Sequence, residues 1–199
     1  MQNFAHELSE QGLIPDTVVR RGIRHLLKKR LDSIGAESLS RASDAQRDLI
    51  KLMDGGPIAE VPEKANEQHY ELPTAFFEAV LGSRMKYSCG FWDKPGATLD
   101  DAESRSLALT CEHADIQDGM AILELGCGWG SLTLWMAEHY PNSRITAVSN
   151  SIPQGNFIRS RAGAAGLRNI DVITADMNYF HPEKQFHRVV SLEMFEHMR

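Results

Sequence analysis

Residues 193–197 read Glu-Met-Phe-Glu-His. Two acids and an imidazole at this spacing can hold an amine and take its proton. Glu193 would bind the ammonium form through a charge-assisted bond, and Glu196 or His197 would act as base. On a helix the three would share one face, at i, i+3 and i+4. The run is similar to zinc-binding motifs but is not H-E-x-x-H, and no third ligand is evident, so no metal is expected. A second cluster is Glu124 followed by Gly126, Gly128 and Gly130, an E-x-G-x-G-x-G spacing. Glycines let the chain turn sharply and approach a ligand closely. The carboxylate would repel a phosphate, so the loop suits a cationic or hydroxyl-bearing ligand. The spacing is neither the dinucleotide G-x-G-x-x-G nor a P-loop.

These residues need a scaffold, and the pattern supplies one. Ile122, Leu123 and Leu125 give a buried parallel strand, and an amphipathic helix at 131–139 begins straight after the glycines. Further strands are expected at 144–148, 171–174 and 188–192. Asn150, Gln154, Asp176 and Met177 then fall just past strand ends, the edge where open α/β sheets bind ligands. Locally, the lesser reading makes Asn150 and Asp176 caps and Gln154 an exposed side chain. Helices are expected at 13–31, 38–53 and 99–114, with a short one capped by Thr74 and stopped by Gly82. Pro15 fits the first turn of the first helix. Its Arg20, Arg21, Arg24, Lys28, Lys29 and Arg30 form a basic face. That face is read first as simply solvated, and otherwise as a contact for a membrane surface or an acidic partner through residues 20–30.

Composition sets limits. The chain has 199 residues and a net charge of −6, which disfavours nonspecific nucleic-acid binding. No apolar run approaches the ~18 residues of a membrane span, and the N-terminus lacks a signal-peptide core. Three cysteines and no C-x-x-C suit a reduced, cytoplasmic protein without structural zinc. The polar stretch at 57–67 is a candidate boundary. It divides an N-terminal helical extension (1–65) from a helical cap (66–118) and a sheet domain (119–199).

The glycine run resembles motif I of the class I S-adenosylmethionine-dependent methyltransferases. Upstream, His69-Tyr70-Glu71 and Tyr87-Ser88-Cys89-Gly90-Phe91 stand in order before it. Together they resemble the cyclopropane-fatty-acid synthase group, which includes the plant coclaurine N-methyltransferase-like enzymes. The resemblance covers residues 66–199, and residues 13–31 also look like the plant-type extension. It implies a Rossmann-like α/β fold, a parallel sheet of order 3-2-1-4-5-7-6 of which only the first four strands are present. It implies S-adenosylmethionine as methyl donor, held by Tyr87, Ser88, Glu124, Gly126, Gly128, Asn150, Gln154, Asp176, Met177 and Leu192. In this picture Glu124 lies near the methionine amino group, Asn150 meets the ribose and Asp176 the adenine. Glu193, Glu196 and His197 would serve N-methylation of an alkaloid-like amine. In the lipid-modifying branch the first acid of the E-M-F-E-H run is usually a small residue. There Cys89 and Glu196 would help hold a bicarbonate that deprotonates a carbocation.

With the sheet ending at its fourth strand, the chain reads as a fragment. Val189, Val190 and Leu192 are expected to lie uncovered. A noncatalytic protein that binds only cofactor or a partner, a second copy in a homodimer included, is therefore the reading from another class.

Overall fold

The computed structural model describes residues 7–59 and 72–198. His69, Tyr70 and Glu71 lie outside the described residues. The backbone falls into two compact units, residues 1–56 and 57–199.

The first unit carries two helices, α1 (Asp16–Ser33) and α2 (Leu39–Asp54). Pro15 precedes α1 at the N-cap instead of standing in its first turn, because its φ of −58° and ψ of 140° are extended. Gly35, at φ +67°, turns the chain between the helices, where a Cβ would strike the Arg41 backbone at 2.6 Å. Arg20 Nε donates to Asp16 Oδ2 at 3.0 Å along α1. No described helix is long and apolar enough to cross a membrane.

The second unit is an α/β layer. Helix α3 (Thr74–Val80) follows Pro73, which takes the N-cap place expected of Thr74, and no side chain caps it. Helix α4 (Leu99–His113) opens on a full capping box. Asp101 N–H donates to Thr98 Oγ1, and Asp101 Oδ2 accepts from the Thr98 N–H. Then come β1 (Ala121–Leu125), α5 (Ser131–His139), β2 (Arg144–Ser149), α6 (Ile152–Ala164), β3 (Ile170–Thr174) and β4 (Arg188–Ser191). All strand pairs are parallel, in the order β3-β2-β1-β4.

The central strands are buried at alternating and intervening positions alike: Ile122 and Leu123 in β1, Ile145 to Val148 in β2. Two-sided burial is what a central parallel strand requires. The main core joins Leu107 and Cys111 of α4, Leu132 and Met136 of α5, and Ile122, Ile145 and Val190 of the sheet. Strand β4 is an edge among the described residues. The expectation that its apolar residues lie uncovered holds for Val189 alone. Val190 points into the core and Leu192 packs against it, because successive side chains face opposite sides.

Candidate functional site

Strand order reverses at β1. From β1 the chain moves outward through β2 and β3, then returns to place β4 on the other side. The crevice past the carboxyl ends of β1 and β4 is the switch point, where open sheets bind ligands. The loop leaving β1 fills its floor. Gly126 and Cys127 N–H both donate to Val148 O, at 2.9 and 3.0 Å, which ties the loop to β2. Gly126, Gly128 and Gly130 have φ of 75°, 52° and 81°, a region that side chains with a Cβ rarely adopt. A Cβ on Gly126 would lie 2.5 Å from Met194 Sδ, and one on Gly130 2.6 Å from Ile158 Cγ1. At Gly128 the same position opens onto free space.

Glu124 lies sealed beneath this loop, 3 % exposed. Its Oε2 and Thr133 Oγ1, in the first turns of α5, are 2.5 Å apart in a hydrogen bond. Burial pushes its pKa up to about 8, against a smaller opposing effect of the Thr133 bond. Around neutral pH the acid therefore holds its proton, and an opposite charge nearby would be needed to ionise it.

Three buried polar atoms past the ends of β1 and β2 find no partner among the described residues: Trp129 Nε1 in the loop, Ser131 Oγ at the start of α5 and Gln154 Nε2 in the first turn of α6. Such atoms are costly unless a ligand or water satisfies them. Gln154 is held by its other end, its Oε1 accepting from Ser149 Oγ at 2.7 Å. Asn150, just before the helix, is exposed. Past β3, Asp176 is half-buried and its Oδ1 accepts the Asn178 N–H at 2.8 Å, while Met177 beside it is also half-buried. Asn178 in turn exchanges two 2.9 Å bonds with the Ala59 backbone, which fixes this corner.

The segment 82–89 closes the other side. Phe77, Met85 and Trp129 form one apolar cluster, with Phe77 and Trp129 rings 4.8 Å apart and the Tyr87 ring 5.6 Å from Phe77. The Tyr-Ser-Cys run is thereby bolted to the glycine loop through aromatic contacts. The preceding helix ends at Val80, with Leu81 already extended as its C-cap, so Gly82, expected to stop the helix, stands one residue beyond that cap. Its N–H donates to Glu103 Oε1 at 3.1 Å, and a Cβ there would lie 2.6 Å from that carboxylate. The Arg84 N–H donates to the other Glu103 oxygen at 3.0 Å.

Beyond β4, the Cys89 N–H donates to Glu193 Oε1 at 3.2 Å, joining the two loops. The sequence puts Glu193, Glu196 and His197 on one helical face. The structure does not: only residues Phe195–His197 form a single 3-10 turn, and Glu193 stands before it with φ of 51°. All three side chains are exposed at the same sheet edge, and Leu192 is half-buried below them. Among the described residues no group of three or more His, Cys, Asp or Glu could hold a metal ion.

Four residues at the site escaped sequence reading: Lys86, Trp129, Ser131 and Thr133. Thr133 carries a signal, since it lies in the helix that starts at the loop and can face back to the strand acid. Lys86 carries a weaker one, a charge inside an otherwise aromatic segment.

Residues 59–199 match the family profile described as mycolic acid cyclopropane synthetase. The chain is 39 % identical over 191 residues to (S)-coclaurine N-methyltransferase of Thalictrum flavum subsp. glaucum, covering 96 % of this chain and 53 % of that protein. It is 36 % identical over 189 residues to (S)-tetrahydroprotoberberine N-methyltransferase of Eschscholzia californica, covering 95 % and 54 %. A crystal structure of coclaurine N-methyltransferase bound to N-methylheliamine and SAH superposes with a TM-score of 0.84 at 35 % identity. It spans 97 % of this chain and 56 % of that one. The chain thus spans about half the length of the curated relatives it matches. With the parallel sheet, the glycine loop at its switch point and a profile match over most of its length, the chain belongs to the mycolic acid cyclopropane synthetase family.

Proposed function

We propose that this chain binds S-adenosylmethionine at the carboxyl edge of its sheet and serves methyl transfer to the nitrogen of an alkaloid-like amine. The observation that carries the reading is the set of orphaned buried polar atoms past the ends of β1 and β2, Trp129 Nε1, Ser131 Oγ and Gln154 Nε2, together with the open space at Gly128. They fit a polar, nucleoside-bearing group. The two alkaloid N-methyltransferases to which the chain is similar support the amine.

In this reading Asp176 meets the adenine and Met177 packs on its ring. Asn150 and Gln154 meet the ribose, Tyr87, Ser88 and Leu192 line the methionine end, and the glycines form the floor. Glu124 is buried against Thr133, and a cationic amino group held near the loop would favour its ionised form. Bound there, S-adenosylmethionine supplies an already activated methyl group. What the residues add is alignment and proton removal. An amine attacks only when neutral, so Glu196 or His197 takes its proton while Glu193, tethered to the Cys89 N–H, faces the cationic form. Both acids are exposed, so substrate approaches from the open edge. Three unpaired thiols suit a cytoplasmic setting.

The basic face of α1 favours a second reading, transfer to an unsaturated lipid with Cys89 and Glu196 at a bicarbonate. One assay separates them. The chain is incubated with methyl-labelled S-adenosylmethionine and either coclaurine or vesicles of cis-unsaturated anionic phospholipid. Label on nitrogen, reduced roughly 100-fold or more in Glu196→Gln, supports the amine. Label in the acyl chain, or none with either substrate, overturns it.

A further inference from the structure

Lys86 is 6 % exposed, an ammonium inside the protein next to the apolar cluster of Phe77, Met85 and Trp129. Burying a cation is costly unless a charge or a hydrogen bond repays it. Among the described residues its hydrogen bond runs from Nζ to Ser88 Oγ. Burial lowers its pKa. Glu193 first, then Cys89 and Glu103, face it and oppose that change. Met85 just before it is held at φ 55°, so the segment is over-determined around this side chain.

The bond has a direction. Lys86 can only donate, so Ser88 Oγ accepts, and the Ser88 hydroxyl keeps its own proton to give away. Among the described residues nothing takes that proton. The neighbouring Cys89 N–H is already committed to Glu193. The Ser88 hydroxyl thus remains an O–H donor beside a buried positive charge, within the Tyr-Ser-Cys run that the proposed reading assigns to the methionine end of the nucleoside.

Resting on that reading, we propose that Lys86 is a positioning residue for the ligand's carboxylate. Its ammonium fixes Ser88 as a donor and selects ligands whose tail ends in a carboxylate. The two ligands that test this differ by that group alone: S-adenosylmethionine and decarboxylated S-adenosylmethionine. The full chain is titrated with each by calorimetry, as wild type, Lys86→Met and Lys86→Arg. Lys86→Met is expected to weaken S-adenosylmethionine roughly tenfold or more, the scale of a charge-assisted bond, and to leave the decarboxylated ligand within about twofold. Lys86→Arg, which keeps the cation and the donors, is expected to restore most of the preference. If Lys86→Met does not fold, Ser88→Ala is expected to show the same selective loss. An equal loss for both ligands, or none, overturns the role of Lys86 while the cofactor reading stands. A wild-type chain that binds neither ligand overturns the cofactor reading and this inference with it.

Discussion

A carboxylic acid at the end of a buried strand is tolerated either as a paired anion or as a neutral acid. Glu124 takes the second course, with Thr133 as its partner. The pH dependence follows from the sign of its shift. Below pH 4.5 it is protonated in both folded and unfolded chains. As pH climbs, the unfolded chain ionises first, so stability falls until the folded acid ionises at about 8. The slope is at most about 1.4 kcal/mol per pH unit. Glu124→Gln, which keeps an acceptor for Thr133 but cannot titrate, is expected to flatten this decline, read from urea midpoints between pH 5 and 8. Removing the partner by Thr133→Val is expected to cost about 1–2 kcal/mol at pH 6. Two thiols near the acid are inert for the same physical reason. Burial raises the Cys111 thiol to about 11 and pushes Cys127 up too. Alkylation of the native chain is expected at Cys89, which is exposed.

At the scale of elements, the glycine loop and the turn after β4 depend on each other. Met194 occupies the space that Gly126 leaves. Gly126→Ala is expected to cost about 2–4 kcal/mol, from a forced positive φ together with the clash. Pairing it with Met194→Ala should recover the steric part only, so a full rescue in thermal unfolding would mean that backbone strain is negligible. At the start of α4, Thr98→Ala removes one half of the capping box and is expected to cost about 1 kcal/mol. Most elements were legible. The apolar runs of β1 to β4 and the helix that starts straight after the glycines were readable, and the glycines marked where a ligand edge must lie. What the pattern could not show was direction. A strand acid reads as a ligand to any cation, and only the fold reveals that Glu124 turns inward to α5. The Glu-Met-Phe-Glu-His run has helical spacing, yet Glu193 stands at positive φ and the turn that follows is 3-10. Lys86 was only weakly legible, because a lysine among aromatics looks like a surface residue until the loop folds over it.

At the scale of the molecule, β4 is the exposed margin of the described sheet. Val189 is 57 % exposed on it, beside backbone groups free to pair with another strand. Val189→Lys is expected to reduce concentration-dependent association in sedimentation with little change in stability, because the side chain leaves no core. Val190→Lys, by contrast, is expected to unfold the unit, since that side chain joins α4 and α5 in the main core. The same topology that leaves β4 at the margin gathers the glycine loop, Gln154, Asp176 and the acids after β4 along one edge. That convergence is the central claim, and calorimetric titration of the full 199-residue chain with S-adenosylmethionine, beside Asp176→Ala, tests it most directly. The expected result is saturable one-to-one binding, weakened roughly tenfold or more in the variant, as for loss of a hydrogen bond to a charged group. Absence of binding by a chain with intact helical and sheet circular dichroism would contradict it, as would binding that Asp176→Ala leaves unchanged.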